Sequence, residues 1–598
     1  MIVEIFLVSG SLFCLAVSVY VRSTHTQTTT ESKELNGSNE GREPDSLDGS
    51  TTPKIEALPT AKQAGIQDLP KELKLVIFDL LWNYKQENRT WVYDAAKERY
   101  SYCLIDGTIL ARCASVCSEW RDLIEPINFR HLTINQHNLG KFDEYLAKNK
   151  RRKLVRWIWL RFELPSYRWE ESDFRGHSRK LSYRYQKACD NGLSRAVRML
   201  LTSLSTWTVE ESHQQGVAFE ISATFDSRYW GFPRNSHKAW GQWPGQLYRP
   251  ETGETQPMPT DDPYGDYTRE PDIFGSAEGL ALTGFKKPLP DVRVVTQFVL
   301  RRHSSHTLSV LRTLLPLCDV FPRLTDFLYE PWRRIDPSGR IDGPGSRYER
   351  DAHHVYFVHH MLRLRPSLRR FNMFESCHIK VHRDTVTTWT LPHLSRSLAD
   401  ASRHLEELHA ALNVDAYDFF YEFWRDDGGP DGDARGRGEP SQPRAWDNLR
   451  FLSLSSARLN AFEDGFLLFA AAAAVAKMPK LELMELWSVR KSEAARIFRY
   501  ERRDVRRRRI TYFTPNKSKF SRTLLDRWHQ AMAAGGSHYH LRAKTRRLNP
   551  RHLDGACSII QRLALKDRIL SCPASLGEVL EDSTNEKVLY GGLSEGFW

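Results

Sequence analysis

The 598-residue chain has no CxxC pair, no HExxH, no GxSxG and no phosphate-binding glycine loop; the Gly/Pro-rich DPSGRIDGPGSRYERD (336–351) lacks the lysine such a loop needs. Its nine cysteines are scattered and odd in number, which favours reduced thiols in the cytoplasm or nucleus over a disulfide framework or a zinc site. Cys113 and Cys117 lie four apart on one apolar stripe with no histidine nearby, so they read as small core residues. His353, His354, His359 and His360 are spaced by 1, 5, 6 and 7, not by the four that places two imidazoles on one helix face, and no metal or cofactor is expected. The paired carboxylates Asp261/Asp262 and Asp426/Asp427 sit in Gly/Pro-rich stretches without the apolar surroundings that tune a general acid. A non-catalytic protein is the expectation.

Net charge, as distinct from charged residues, is scarce over most of the chain once the +12 is located. Residues 490–551 hold 19 Lys or Arg against Glu493, Glu501, Asp504 and Asp526, so the remainder is close to neutral. Within that segment RRDVRRRR supplies Arg502, Arg503, Arg506, Arg507, Arg508 and Arg509, a candidate patch for acidic or phosphorylated partners. A solvated helix or loop and a nuclear-localisation signal are the competing readings. Nearby aromatics lack the interleaving of a single-strand binder, which disfavours nucleic acid without removing it as the alternative.

Long hydrophobic runs are rare too. IFLVSGSLFCLAVSVYV (5–21) is 17 residues without a charge, at the short end of a membrane span, with Glu4 before it and Arg22 after. Residues 1–22 are expected to form a signal-anchor or transmembrane helix holding the body on the cytosolic side, with a cleaved signal or a non-inserted segment as alternatives. Residues 23–65 are polar and read as a disordered linker; 250–272 and 425–446 read as surface insertions.

What is present is amphipathic pattern. In LPKELKLVIFDLL (69–81) Pro70 suits a first helical turn, and Leu73, Val76, Ile77, Leu80 and Leu81 make one face. In LARCASVCSEWRDLI (110–124) Leu110, Cys113, Cys117, Trp120 and Ile124 step by 3, 4, 3 and 4. Downstream, five segments fit L-x-x-Φ-x-Φ, with Φ apolar. They lead with Leu324, Leu368, Leu405, Leu449 and Leu481, followed by Phe327, Phe371, Leu408, Leu452 and Met484, then Tyr329, Met373, Ala410, Leu454 and Leu486. Their spacings of 44, 37, 44 and 32 are separated by helical candidates such as 308–317 and 465–477. LVRWIWLRF (154–162) fits through Leu154, Trp157 and Trp159, and VAFEIS (217–222) is a further strand candidate. A recurring strand plus helix predicts an irregular leucine-rich-repeat-like α/β solenoid over 150–500, with a mixed sheet lacking repeat symmetry as the alternative. A basic helical region is expected over 501–598.

LPKEL followed by VCSEW and RDLI resembles the F-box, and EPINFRHLTI, IWLRFELPSY, LYEPWRRID, LNVDAYDFF, FAAAAAVAKMPKLELMELW and AARIFRYE are similar to the body of a group of fungal F-box proteins. The resemblance implies an all-α F-box over 66–135 that docks on the Skp-family adaptor and, through it, a cullin. Leu69, Pro70, Leu73, Ile77, Val116, Cys117, Trp120 and Leu123 take the adaptor-contact and core positions. It further implies a substrate-recognition subunit of a cullin-RING ubiquitin ligase that holds an unidentified protein target for ubiquitination. The chain departs from the family in its 28-residue connection, 82–109, a surface insertion whose entropic cost is small.

Overall fold

A computed structural model describes residues 118–570, apart from 166–177, most of 225–278, 334–346, 378–391, 426–444 and several shorter loops, together with a hairpin near residue 100. Two compact units are distinguished, Met1–Gln86 and Glu87–Trp598. The expected anchor, the linker and the first amphipathic stretch lie outside the described residues.

The hairpin is β1 (Thr90–Asp94) and β2 (Arg99–Cys103), antiparallel, inside the 82–109 insertion. There follow β3 (His131–Ile134), β4 (Trp157–Glu163), β5 (Val217–Thr224), a small hairpin of β6 (Gln246–Tyr248) and β7 (Thr255–Pro257), β8 (Val295–Leu300) and β9 (Asp326–Tyr329). Next come β10 (Trp332–Arg333), β11 (Arg370–Phe374), β12 (Ser376–Cys377), β13 (Glu407–Ala411), β14 (Phe451–Ser455) and β15 (Leu483–Trp487). The last three are β16 (Ile497–Arg502), β17 (Arg507–Thr514) and β18 (His540–Arg547).

Twelve of these strands, all but the three small pairs, form one mixed α/β sheet in which order across the sheet is order along the chain, from β3 to β18. Neighbours are parallel except where β16 runs against β15 and β17. Placing each strand beside its predecessor keeps the connections short. A parallel neighbour also requires a crossover, and several crossovers carry helices: Ser178–Ser205, Arg347–Arg363, Pro392–Ala401 and Asp464–Val475.

The five L-x-x-Φ-x-Φ segments are consecutive strands in one register. Phe327 pairs with Phe371, Phe371 with Leu408, Leu408 with Leu452, and Leu452 with Met484. The leading leucines, 324, 368, 405, 449 and 481, are all buried just before their strands. Helices cover this face: Leu193, Val197, Phe357, Leu398, Leu467 and Trp528 join the strand residues in one core. Aromatic rings stack along it, Phe298 on Phe327 at 5.4 Å and Phe327 on Phe371 at 5.2 Å. The helix Asp464–Val475 is apolar nearly all round, and its alanines let it sit deep in that core.

Three expectations are corrected. In β4 the core residues are Ile158, Leu160 and Phe162, and Ile158 pairs with Phe219, so Trp157 and Trp159 lie on the opposite face. A shift of one residue exchanges the faces; large apolar side chains at both parities masked the signal that Arg161 and Glu163 carry, at the parity of the two tryptophans. The boundary at 500 falls inside β16, and the stretch expected to be helical contributes β17 and β18 as well as the helix Arg522–Ala533. Trp446, placed with the 425–446 insertion, is buried, and its indole N–H donates to Ser402 Oγ at 3.1 Å.

Candidate functional site: the second face of the sheet

Alternate residues of each strand point away from the helix-covered core. On the second face one register position is polar across five strands: Asn372 of β11 pairs with His409 of β13, then Ser453 of β14, Glu485 of β15 and Arg499 of β16. The next row is apolar apart from Ser455 and includes Phe374, Ala411, Trp487 and Ile497. Strands about 4.8 Å apart make the polar row roughly 19 Å long.

The chain itself covers this row. Residues 556–570, two short helices (Ala556–Ile560 and Lys566–Ile569) and the turn between them, cross the strands from β16 back to β11. Ile559, Ile560, Leu563, Leu565, Ile569 and Leu570 pack on the apolar row. The polar row grips the segment's backbone. Arg499 donates to the carbonyl of Arg562 at 2.9 Å, and Glu485 accepts the N–H groups of Ala564 and Leu565 at 3.0 and 2.9 Å. Asn372 Nδ2 donates to the carbonyls of Arg568 and Ile569 at 2.6 and 3.0 Å. One side-chain pair adds charge, Arg568 to Glu407 at 2.6 Å, with the guanidinium 3.8 Å from the centre of the Phe451 ring.

The fit is incomplete at its middle. Both ring nitrogens of His409 and the Oδ1 of Asn372 are buried without a hydrogen-bond partner among the described residues. His409 Nε2 is 3.7 Å from Glu407 Oε2, within ion-pair range but too long for a hydrogen bond. Burial holds the His409 imidazole below its ordinary pKa, opposed by Glu407. For Glu407 burial acts upward, but His409 and Arg568 more than offset it, and the carboxyl lies below its usual range.

Beyond the strand ends, Asp415 ties adjacent loops together. It accepts from Ser456 Oγ at 2.6 Å and from the backbone N–H groups of Tyr417 and Ala457 at 2.8 and 3.0 Å. Leu412, which opens this loop, has φ 70°, a left-handed conformation costly for a branched residue. Burial and then Asp415 raise the pKa of Asp418 in the same loop. Another buried group fastens strand to helix: Tyr329 Oη lies 3.1 Å from His354 Nε2, itself 3.8 Å from Glu375 Oε1. His353, His359 and His360 share the same helix, Arg347–Arg363, where His360 pairs with Asp319 at 3.1 Å. Among the described residues no His/Cys/Asp/Glu group has the arrangement of a metal site. Burial pushes the Cys189 thiol up to about 12 and raises that of Cys318, so both remain protonated packing groups.

Of the expected adaptor-contact residues, Leu69, Pro70, Leu73, Ile77, Val116 and Cys117 lie outside the described residues. Trp120 and Leu123 are buried in the helix Ser118–Asn128 beside Ile124. Glu125 on the same helix pairs with Arg151 at 2.6 Å and fastens it to the start of the sheet domain.

The arginine run forms the β16–β17 hairpin, where two carboxylates meet three of its six guanidinium groups. Arg503 pairs with Glu501 at 2.8 Å, Arg507 with Asp504 at 2.5 Å and Arg509 with Glu501 at 2.5 Å. Arg502 donates to the Pro479 carbonyl, and the buried Arg508 to the Asp504 carbonyl. Arg506 is held through its backbone N–H on Asp504. Arg503, Arg506 and Arg507 are exposed on this hairpin, and a second row of exposed cations lies on the edge strand, where Arg542, Lys544 and Arg546 alternate along one side of β18. Neither this row nor the covered polar face was singled out from sequence; the charge excess in 490–551 was the available signal for the first.

Residues 363–571 match the model of a family described as a family of unknown function (DUF6546). The matched stretch, about a third of the chain, contains β11 to β18 and the covering segment together. No curated protein matches the chain. Among the described residues no helix is long and apolar enough to cross a membrane.

Proposed function

We propose that the chain is a non-catalytic substrate-recruiting subunit of a cullin-RING ubiquitin ligase. An F-box-like unit over 66–135 binds the Skp-family adaptor, and the sheet domain, read as an irregular leucine-rich-repeat-like solenoid, presents a protein target on its second face. The observation that carries the reading is the pair of stretches LPKEL and VCSEWRDLI, the second continuing into a helix that buries Trp120 and Leu123. Support for the solenoid comes from the strand order and from the L-x-x-Φ-x-Φ positions meeting in register. Rate enhancement is then proximity: the subunit raises the target's local concentration and contributes no reacting group. A cytosol-facing anchor at residues 1–22 would direct this activity to membrane-associated targets.

The test is co-purification of the full chain with the adaptor, comparing wild type with Leu73→Asp. A charge at a packed apolar contact costs several kcal/mol, so the variant should lose the adaptor while keeping wild-type circular dichroism. Equal recovery of adaptor with both chains would sink the reading. A second reading, nucleic-acid or chromatin binding through 490–551, is favoured by the exposed row Arg542, Lys544 and Arg546. It requires retention on nucleic acid that falls steeply with salt, and no retention at low salt would remove it.

A further inference from the structure

We infer that the second face of the sheet is a peptide-binding site and that residues 556–570 are its resident, displaceable occupant. Calling the external ligand a target rests on the recruiting role proposed above. The site recognises backbone more than side chain. Arg499, Glu485 and Asn372 together take three carbonyls and two N–H groups of the segment, in order, from β16 to β11. Such contacts hold any chain that follows the same path, and selectivity then falls to what lies between them.

Two features supply it. Leu563 and Leu565 are buried in the same apolar cluster as Trp487 and Ile497, and Arg568 reaches Glu407. The ligand class is therefore a short segment of another protein reading apolar-x-apolar-x-x-basic, with Arg or Lys opposite Glu407. The resident leaves part of the site unused: His409 and the Asn372 carbonyl oxygen are buried beneath it with hydrogen-bonding capacity unspent. Buried polar groups are rarely left so, and a ligand offering a hydroxyl or amide there would hold the face better than the chain's own segment does. The groups facing His409 from the packed elements are Glu407, Glu485 and Arg568, and Glu407 Oε2, at 3.7 Å, stands beyond hydrogen-bond distance of its Nε2.

The experiment uses the full chain and a fluorescein-labelled synthetic peptide of residues 556–570. The double variant Leu565→Asp, Arg568→Glu loosens the resident and leaves every residue of the face unchanged. If the closed form dominates wild type, apparent affinity falls in proportion to the open fraction, so the loosened chain should bind the peptide at least about a hundredfold more tightly. Adding Glu485→Gln to it should weaken binding tenfold or more. Amide exchange, read in parallel, should show faster exchange at Ala564 and Leu565 with β11 to β15 still protected. Equal binding by wild type and the loosened chain, with that exchange pattern observed, would overturn the inference, as would binding indifferent to Glu485→Gln. Loss of protection throughout β11 to β15 would overturn it differently, by making the segment a structural strut. No adaptor enters this assay, so failure here with adaptor binding intact discards only the peptide site, and the reverse result discards only the ligase role.

Discussion

Glu485 and Arg499 face each other across β15 and β16, carboxylate to guanidinium at 2.6 Å, and the same carboxylate bonds two backbone N–H groups of the covering segment. Glu485 is fully buried, so its charge is tolerable only because all three donors meet it. Glu485→Ala strands the Arg499 cation and frees Ala564 and Leu565 together. The expected loss is about 3–5 kcal/mol in chemical unfolding, the usual cost of breaking one side of a buried pair. A loss below about 1 kcal/mol would mean that water replaces the carboxylate easily and the face is open.

Acid should loosen the segment. His409 is held below its ordinary value of 6.5, so the unfolded chain takes up protons first as pH falls. Its contribution is complete above about pH 6.5 and is lost below that, towards the folded pKa. Glu407, depressed from 4.5, contributes fully above that value and loses its contribution at lower pH still. Amide exchange at Leu565, followed from pH 7.5 to 5 and corrected for intrinsic rate, should accelerate in wild type and stay flat in His409→Gln.

The register of β4 and its neighbours is open to a paired comparison. Phe162→Ala removes a ring that β4 buries in the core and should cost about 3–5 kcal/mol. Trp159→Ala, on the second face and only partly buried, loses an indole bond to Ser222 and should cost about 1–2 kcal/mol. Denaturant midpoints decide it, and the reverse ranking would place β4 one residue out of register.

The two faces of the sheet differed in legibility for a physical reason. The core face repeats its residue type, so leucines 324, 368, 405, 449 and 481 announce successive strands before any coordinates are known. The second face interrupts the same strands with Asn372, His409, Ser453 and Glu485, 32 to 44 positions apart in sequence. Only the sheet's register brings them into a row. Residues 556–570 had no telling signal either, since their apolar residues suit any packed segment. HLRAKTRR of β18 gave only the charge excess of 490–551 and no strand signal, because an edge strand answers to water on one side and can carry charge where an interior strand carries valine.

Those edge cations separate stability from binding. Arg542→Ala, Lys544→Ala and Arg546→Ala together should change stability by no more than about 1 kcal/mol in a thermal melt, since exposed substitutions away from packed features have small effects. Retention on a polyanionic resin at low salt should fall clearly. Unchanged retention would assign the anion-binding capacity elsewhere, with Arg506 the next candidate on the β16–β17 turn.

The ligase role turns on one contact. The most direct measurement is a calorimetric titration of the full-length chain with purified Skp-family adaptor, with Leu73→Asp as the paired sample. The expected result is one-to-one binding at roughly micromolar affinity or better, weakened by more than tenfold in the variant, as a charge placed at a packed apolar contact requires. A folded wild-type chain that gives no heat and no complex on sizing would contradict the account.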